Sequence, residues 1–272
     1  MANNTSEQAA PPFTFYLGIH HPCWLRTVPH PVFVSHVALR DYKRLPKRMP
    51  GAIWALDSGA FSEIKAHGRW MTEPEEYVAA VRRYRDEIGG LAWAAPMDWM
   101  CEPMMLAKTG LTVPDHQERT VASVLELRSL APDLPFAPVL QGWDLRSYVD
   151  CVRLYEQSRI DLAAEPVVGL GSVCKRQGAD EIGRIVTVLA DEFGLRLHGF
   201  GVKSTGVSKY GAALTSSDSM AWSKAGRAVP GCAHGTRGKT EANCIAFGLE
   251  WRARMLASVN PWHQPSLAGM FS

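Results

Sequence analysis

No stretch of this chain stays apolar for the roughly 20 residues that a membrane-spanning helix needs. The first twelve residues, MANNTSEQAAPP, have neither a basic start nor an apolar core. They are expected to form a short disordered tail rather than a secretory signal, which points to a cytoplasmic protein. Nothing recurs at the period of a solenoid. A G-x-x-x-x-G-K-[ST] loop and a G-x-S-x-G elbow are both missing, which argues against a P-loop enzyme and an α/β-hydrolase. Net charge is scarce as well: 29 Lys and Arg oppose 27 Asp and Glu, leaving +2. Overall charge therefore implies no polyanionic partner. The six cysteines (Cys23, Cys101, Cys151, Cys174, Cys232, Cys244) are scattered along the chain, unlike a disulfide-stapled domain. Free thiols or a metal site remain.

What is present is ordinary globular composition. With 272 residues, 46% hydrophobic and 21% charged, the chain can bury one large core, and residues 13–272 read as a single domain. Charge is uneven along it. Between Lys203 and Arg254 lie Lys203, Lys209, Lys224, Arg227, Arg237, Lys239, Arg252 and Arg254, against only Asp218, Glu241 and Glu250. Such a basic segment fits either a phosphate backbone or a solvated surface.

Eight short apolar runs end on polar residues or glycine. They are FTFYLGIH (13–20), PVFVSH (31–36), AIWALDS (52–58), LAWAAPMD (91–98), FAPVLQG (136–142), VVGLGSV (167–173), LRLHGFGV (195–202) and AALTSSDS (212–219). Continuous rather than alternating apolarity predicts strands buried on both faces, as in parallel sheets. Helical periodicity fills four of the gaps, over 73–89, 114–130, 145–158 and 179–194. The first of these starts on acids and stops at glycine, matching dipole and C-cap preferences. The connections after the first, second and seventh strands are too short or irregular for full helices. The pattern predicts an α/β fold, a (β/α)8 TIM barrel, with an open doubly wound sheet as the alternative.

A barrel carries its chemistry at the C-terminal ends of its strands. Those ends bear His20, His36, Asp57, Asp98, Gln141, Gly169, Gly171, Gly199, Gly201 and Asp218. Any single aspartate could be a turn or cap residue. Three carboxylates and a carboxamide together exceed what packing needs. Two carboxylates can divide the roles of nucleophile and general acid/base, and glycosidic chemistry uses such a pair. A third beside a glutamine can read a guanine-like edge, the carboxylate accepting N–H bonds and the amide donating to a carbonyl.

In order along the chain, LDSGAF resembles a D-S-G-G-F turn and PMDWMCEP an F-D-E-C-x-P segment. PVLQG resembles a V-Q-G strand end, VGLGSV an I-G-G-L-x-V strand and LHGFGVK an M-G-V-G strand, while SSDSMAWS sits where an F-D-C strand end belongs. These are motifs of the tRNA-guanine transglycosylases. The chain resembles most closely their smaller phage and bacterial relatives, the DNA-guanine transglycosylases that insert 7-deazaguanines into DNA. The resemblance implies Asp218 as the nucleophile at the sugar C1′ and Asp57 as the general acid/base. It implies that Asp98 and Gln141 read the base edge, with backbone N–H groups near Gly169 and Gly171. Met97, Phe61 and Trp99 would sandwich the ring or simply pack in the core. Lys203 would meet phosphate or only water. The implied partners are guanine-containing DNA, with the target base flipped or single-stranded, and a free 7-deazaguanine such as preQ0. Three departures from the tRNA enzymes are Ala60 for the second turn glycine, Ser62 for the following glutamine and Ser219 for the F-D-C cysteine. The competing readings are the same exchange on tRNA, a base-releasing N-glycosidase and a non-catalytic nucleic-acid-binding barrel. Homodimers are common in the tRNA branch, so a homodimer is possible.

One further cluster follows the last strand. Cys232, His234 and Cys244 make a plausible ligand set for tetrahedral Zn²⁺, with His263 as a possible fourth ligand. The tRNA enzymes hold a structural zinc at this place with C-x-C-x-x-C spacing, so the match is by position and ligand type. The expected zinc-binding segment is about 228–265. The alternative is buried free cysteines and a surface histidine. His20 and His21 could face the pocket, bind phosphate, or pack at its rim.

Overall fold

The computed structural model describes residues 13–235 and 238–257. The expected N-terminal tail, residues 1–12, and the candidate ligand His263 lie outside the described residues.

Eight strands form one sheet: β1 (Thr14–Ile19), β2 (Val32–Ser35), β3 (Trp54–Asp57), β4 (Leu91–Ala94), β5 (Val139–Leu140), β6 (Val168–Leu170), β7 (Leu197–Gly199) and β8 (Ser216–Ser219). Their order is β4-β3-β2-β1-β8-β7-β6-β5, and every pairing is parallel. The two outer strands approach each other through a parallel bridge between Ala94 and Phe136. There the Ala94 N–H donates to Pro135 O at 2.9 Å and the Ala137 N–H to Ala94 O at 3.0 Å. Each strand falls within one of the apolar runs. The fifth is far shorter than its run because Pro135 and Pro138 have no N–H to give the ladder.

The unbroken apolarity of the runs reflects two buried faces. Leu17, Val32, Val34, Trp54 and Leu56 point outward into one helix-facing cluster, and Phe15, Leu140, Val168, Leu170 and Leu197 into another. Tyr16, Phe33, Ala55, Trp93, Ala95, Ala137 and Val167 point inward, with Phe200 packed against them. The small inward alanines leave room for the rings of Tyr16, Phe33, Trp93 and Phe200, so the interior is filled rather than hollow.

The helices are α1 (His36–Leu39), α2 (Ala60–His67), α3 (Pro74–Ile88), α4 (Pro103–Thr109), α5 (Val113–Leu130), α6 (Leu145–Gln157), α7 (Asp180–Asp191), α8 (Ser204–Tyr210), α9 (Ala221–Gly226) and α10 (Ile245–Ala257). In α3, Pro74 opens the first turn, a Glu73/Glu76 capping box satisfies free N–H groups, and Gly89 terminates it. The helix buries Tyr77, Val78, Val81, Tyr84 and Ile88, each contributing roughly 1.5–3 kcal/mol if fully desolvated. Thr112 caps α5 and Asp144 caps α6. After β1 there is only a 3₁₀ turn, Pro22–Arg26, and after β2 only α1. The buried Arg48 guanidinium ties these irregular connections down. It donates to Leu25 O (2.7 Å), Val28 O (2.7 Å) and His30 O (2.6 Å).

Candidate active site

A cavity of about 340 Å³ opens at the carboxyl ends of the strands. Asp57, Phe61, Asp98, Gln141, Gly171 and Asp218 line it. Gly169, Met97, Trp99 and Lys203 do not. Gly169 lies deeper, where a Cβ would strike Phe200 at 2.5 Å. The chain turns sharply at Pro96, with the Asp98 N–H bonded back to Pro96 O. Met97 therefore faces the core, and its N–H donates to Ser123 Oγ (3.1 Å). Trp99 packs edge-on to His116 and under the Arg119 guanidinium. The Lys203 N–H donates to Gln177 Oε1 at the start of α8.

Asp57 ends β3 in register with Ser35. Burial pushes its carboxyl above the usual range, against hydrogen bonds from Ser35 and the Gly59 N–H, and the nearby Asp218 pushes it further up. The D-S-G turn exists to bring that N–H back. Gly59 sits at φ 86°, and a Cβ there would strike Val37 Cγ2 at 2.7 Å.

Asp98 accepts from Ser58 Oγ at Oδ1 (3.2 Å) and from Gln141 Nε2 at Oδ2 (2.6 Å). Burial and the charge of Asp57 nonetheless raise its pKa to about 7. Gln141 is completely buried, and its Oε1 accepts from Ser172 Oγ (2.8 Å). Ser172, held in the left-handed region at φ 56°, also accepts from the Cys101 N–H and lies 3.1 Å from Glu102 Oε2. Asp218 occupies an all-polar yet fully buried strand. Its Oδ1 accepts from the Gly201 N–H (2.8 Å) and lies 3.3 Å from His198 Nε2. At the mouth, half-exposed Phe61 has the Lys65 and Lys175 ammonium groups each 5.5 Å from its ring centroid.

Ser35, Ser58, Glu102, Ser172 and His198 also belong to this site, although the motifs assign them no role. Only His198 left a signal: it is a polar residue two before Phe200, at an inward position of β7. His20 stacks on Trp222 and meets Asn243 Oδ1 at 2.8 Å, and His21 packs on Trp24; neither lines the cavity.

A second cluster gathers Cys232, His234, Glu241 and Cys244, with ligand atoms all within 4.8 Å of one another. Among the described residues, Glu241 is the fourth potential ligand beside Cys232, His234 and Cys244. His234 Nδ1 faces Cys244 Sγ (3.4 Å) and Glu241 Oε1 (3.4 Å), and its Nε2 pairs with Glu250 at 2.9 Å. Glu241 is buried, and among the described residues its Oε2 has no hydrogen-bond partner. Two thiols, an imidazole and an orphaned carboxylate oxygen fit a tetrahedral divalent ion, and Glu250 orients the imidazole from behind. The cluster leans on α9, where a Gly226 Cβ would lie 2.6 Å from Glu241 C.

Three aspartates around one cavity, at the carboxyl ends of parallel strands, are the arrangement of an α/β enzyme's active site. Over residues 13–270 the chain matches the family DpdA, "DeoxyPurine in DNA protein A". It belongs to that family of DNA-guanine transglycosylases, related to tRNA-guanine transglycosylase. No curated protein matches. Among solved structures, the chain is similar to the carboxyl transferase domain of Rhizobium etli pyruvate carboxylase with 3-hydroxypyruvate. The two are 14% identical with a TM-score of 0.41, over 78% of this chain and 36% of that one. No helix among the described residues is long and apolar enough to cross a membrane.

Proposed function

We propose that this chain, as a single (β/α)8 domain over residues 13–272, exchanges guanine in DNA for a 7-deazaguanine such as preQ0. The observation that carries the reading is the pairing of Asp57 with Asp218 in one cavity, the first with its carboxyl raised by burial. Asp218 attacks C1′ while Asp57 protonates the departing guanine. A covalent glycosyl-enzyme ester results. The incoming base returns its ring N–H proton to Asp57, attacks C1′ and frees Asp218. Asp98 and Gln141 read the base edge. Phe61 stacks on the ring, and Lys65 and Lys175 beside it meet phosphates of the strand whose base has been extruded. The test is release of labelled guanine from DNA by unlabelled preQ0, run beside tRNA. Release from DNA alone is expected. Release from tRNA alone would overturn the choice of substrate, and release from neither would overturn the exchange.

Base recognition carries a pH signature. Ionised Asp98 accepts N–H bonds from the base; protonated Asp98 cannot. With its pKa raised to about 7, affinity for guanine is full above that value and falls about tenfold per unit as pH drops below it. Titration calorimetry from pH 5 to 9 checks this, and Asp98→Asn should flatten the curve at weak affinity. An unchanged profile in that variant would remove Asp98 from the role.

Cys232, His234, Glu241 and Cys244 are proposed to hold one Zn²⁺ that fixes the segment packed against α9, behind the nucleophile strand. The ion would be structural, supplying folding energy rather than chemistry. Elemental analysis should find one zinc per chain. Cys244→Ser should lose it and lower Tm by several degrees, about 2–4 °C per kcal/mol at this size. Full zinc in both Cys244→Ser and Glu241→Ala would refute the ligand set.

A further inference from the structure

His198 has no place in the exchange as just described, yet it lies directly beneath its nucleophile. It sits on β7 with no exposed surface. The rings of Trp93 (4.7 Å between centroids), Phe200 (5.0 Å), Phe33 (5.5 Å) and Tyr16 (5.8 Å) enclose it. Among the described residues it has two polar partners: Ser216 Oγ, 2.9 Å from Nδ1, and Asp218 Oδ1, 3.3 Å from Nε2.

This geometry favours one tautomer. A proton on Nδ1 alone would set the Nε2 lone pair against a carboxylate oxygen. With Nε2–H, the ring donates to Asp218, and Nδ1 accepts from the Ser216 hydroxyl, which can turn to donate. Oδ1 of Asp218 then receives two donors, the Gly201 N–H and His198 Nε2–H. No hydrogen bond among the described residues reaches Oδ2. The two carboxylate oxygens are therefore unequal.

We infer that His198 is a positioning residue for Asp218: it reserves Oδ2 for attack on the sugar, and it stabilises the carboxylate when that carboxylate leaves again. The inference rests on the reading of Asp218 as nucleophile. In the first half-reaction the Oδ2–C1′ bond forms, the C1′–N bond to guanine breaks, and the proton of Asp57 goes to the departing base. In the second half-reaction the incoming base's N–C1′ bond forms and Oδ2–C1′ breaks. The bonding pair returns to Asp218 as its charge, and the incoming base's proton goes to Asp57. Throughout the ester's lifetime Oδ1 is a neutral carbonyl oxygen, a weaker acceptor than a carboxylate. Donors on Oδ1 thus favour the free carboxylate over the ester. They hasten the second half-reaction.

The predicted consequence is specific: removing the donor should make the covalent intermediate accumulate, which loss of packing alone would not do. His198→Leu fills similar space without a donor, and His198→Gln can still present an N–H toward Asp218. Ser216→Ala leaves the imidazole but unlocks its tautomer. Each variant is mixed with a guanine-containing oligodeoxynucleotide and then chased with preQ0. Adduct is read on denaturing gels, and melting temperature checks folding. For His198→Leu the ratio of adduct to free DNA should rise about tenfold or more and the chase should slow correspondingly, the scale of losing one charge-assisted hydrogen bond. His198→Gln should return toward wild type, and Ser216→Ala should shift the same way by less. An unchanged ratio in both His198→Leu and Ser216→Ala would overturn the inference, as would equal shifts in His198→Leu and His198→Gln. Neither adduct nor exchange in the wild type would instead overturn the transglycosylase reading, and the inference with it.

Discussion

Asp218→Ala is expected to abolish covalent attachment to DNA and to lower guanine exchange by about 10⁴-fold or more, since no other group replaces an attacking carboxylate. The fold should survive. Asp218 lies at the carboxyl end of a strand whose pairing with β1 uses backbone groups. Its removal also relieves a second buried acid beside Asp57, so the Asp57 carboxyl should move back toward its ordinary range. Single-turnover exchange on a labelled oligonucleotide measures the loss. Exchange within tenfold of wild type would exclude Asp218 as nucleophile.

Asp57→Asn is the second large effect, expected at about 10²–10⁴-fold, the usual worth of a positioned general acid. The amide can still meet the Ser35 hydroxyl but has no proton to give the leaving purine. The deficit should depend on the leaving group. A base that departs easily as an anion needs little protonation, so DNA carrying such a base should react with the variant at a rate nearer wild type. Equal deficits on both substrates would mean that Asp57 acts on structure rather than as an acid. Because burial and Asp218 both hold its proton on, activity in the wild type should decline as alkaline pH strips it.

The strands and main helices were legible because each carries its own signal. Apolar runs of the right length gave β1 to β8, and the acid-to-glycine span 73–89 gave α3. Breaks in that legibility have local causes. Pro135 and Pro138 cut β5 to two residues, and the ties made by Arg48 join carbonyls distant in sequence. Within the site, strand-end carboxylates could be listed from sequence, but their mutual distances could not. Met97 could not be placed because strand alternation stops at Pro96. Glu241 escaped because glutamates are common and its approach to Cys232, His234 and Cys244 is a property of the fold. Ser172 and Glu102 meet at the end of a chain of hydrogen bonds that begins at Asp98. No spacing rule would join residues so far apart.

The most direct test of the account is to find the bond it requires. The enzyme is mixed with a guanine-containing oligodeoxynucleotide without incoming base, quenched in acid and digested, and the peptides are mapped by mass spectrometry. A DNA-derived sugar attached to the peptide containing Ser216–Ser219, at Asp218, absent in Asp218→Ala and discharged by added preQ0, is the predicted result. Attachment at any other residue, or exchange that proceeds with no attachment at all, would contradict it.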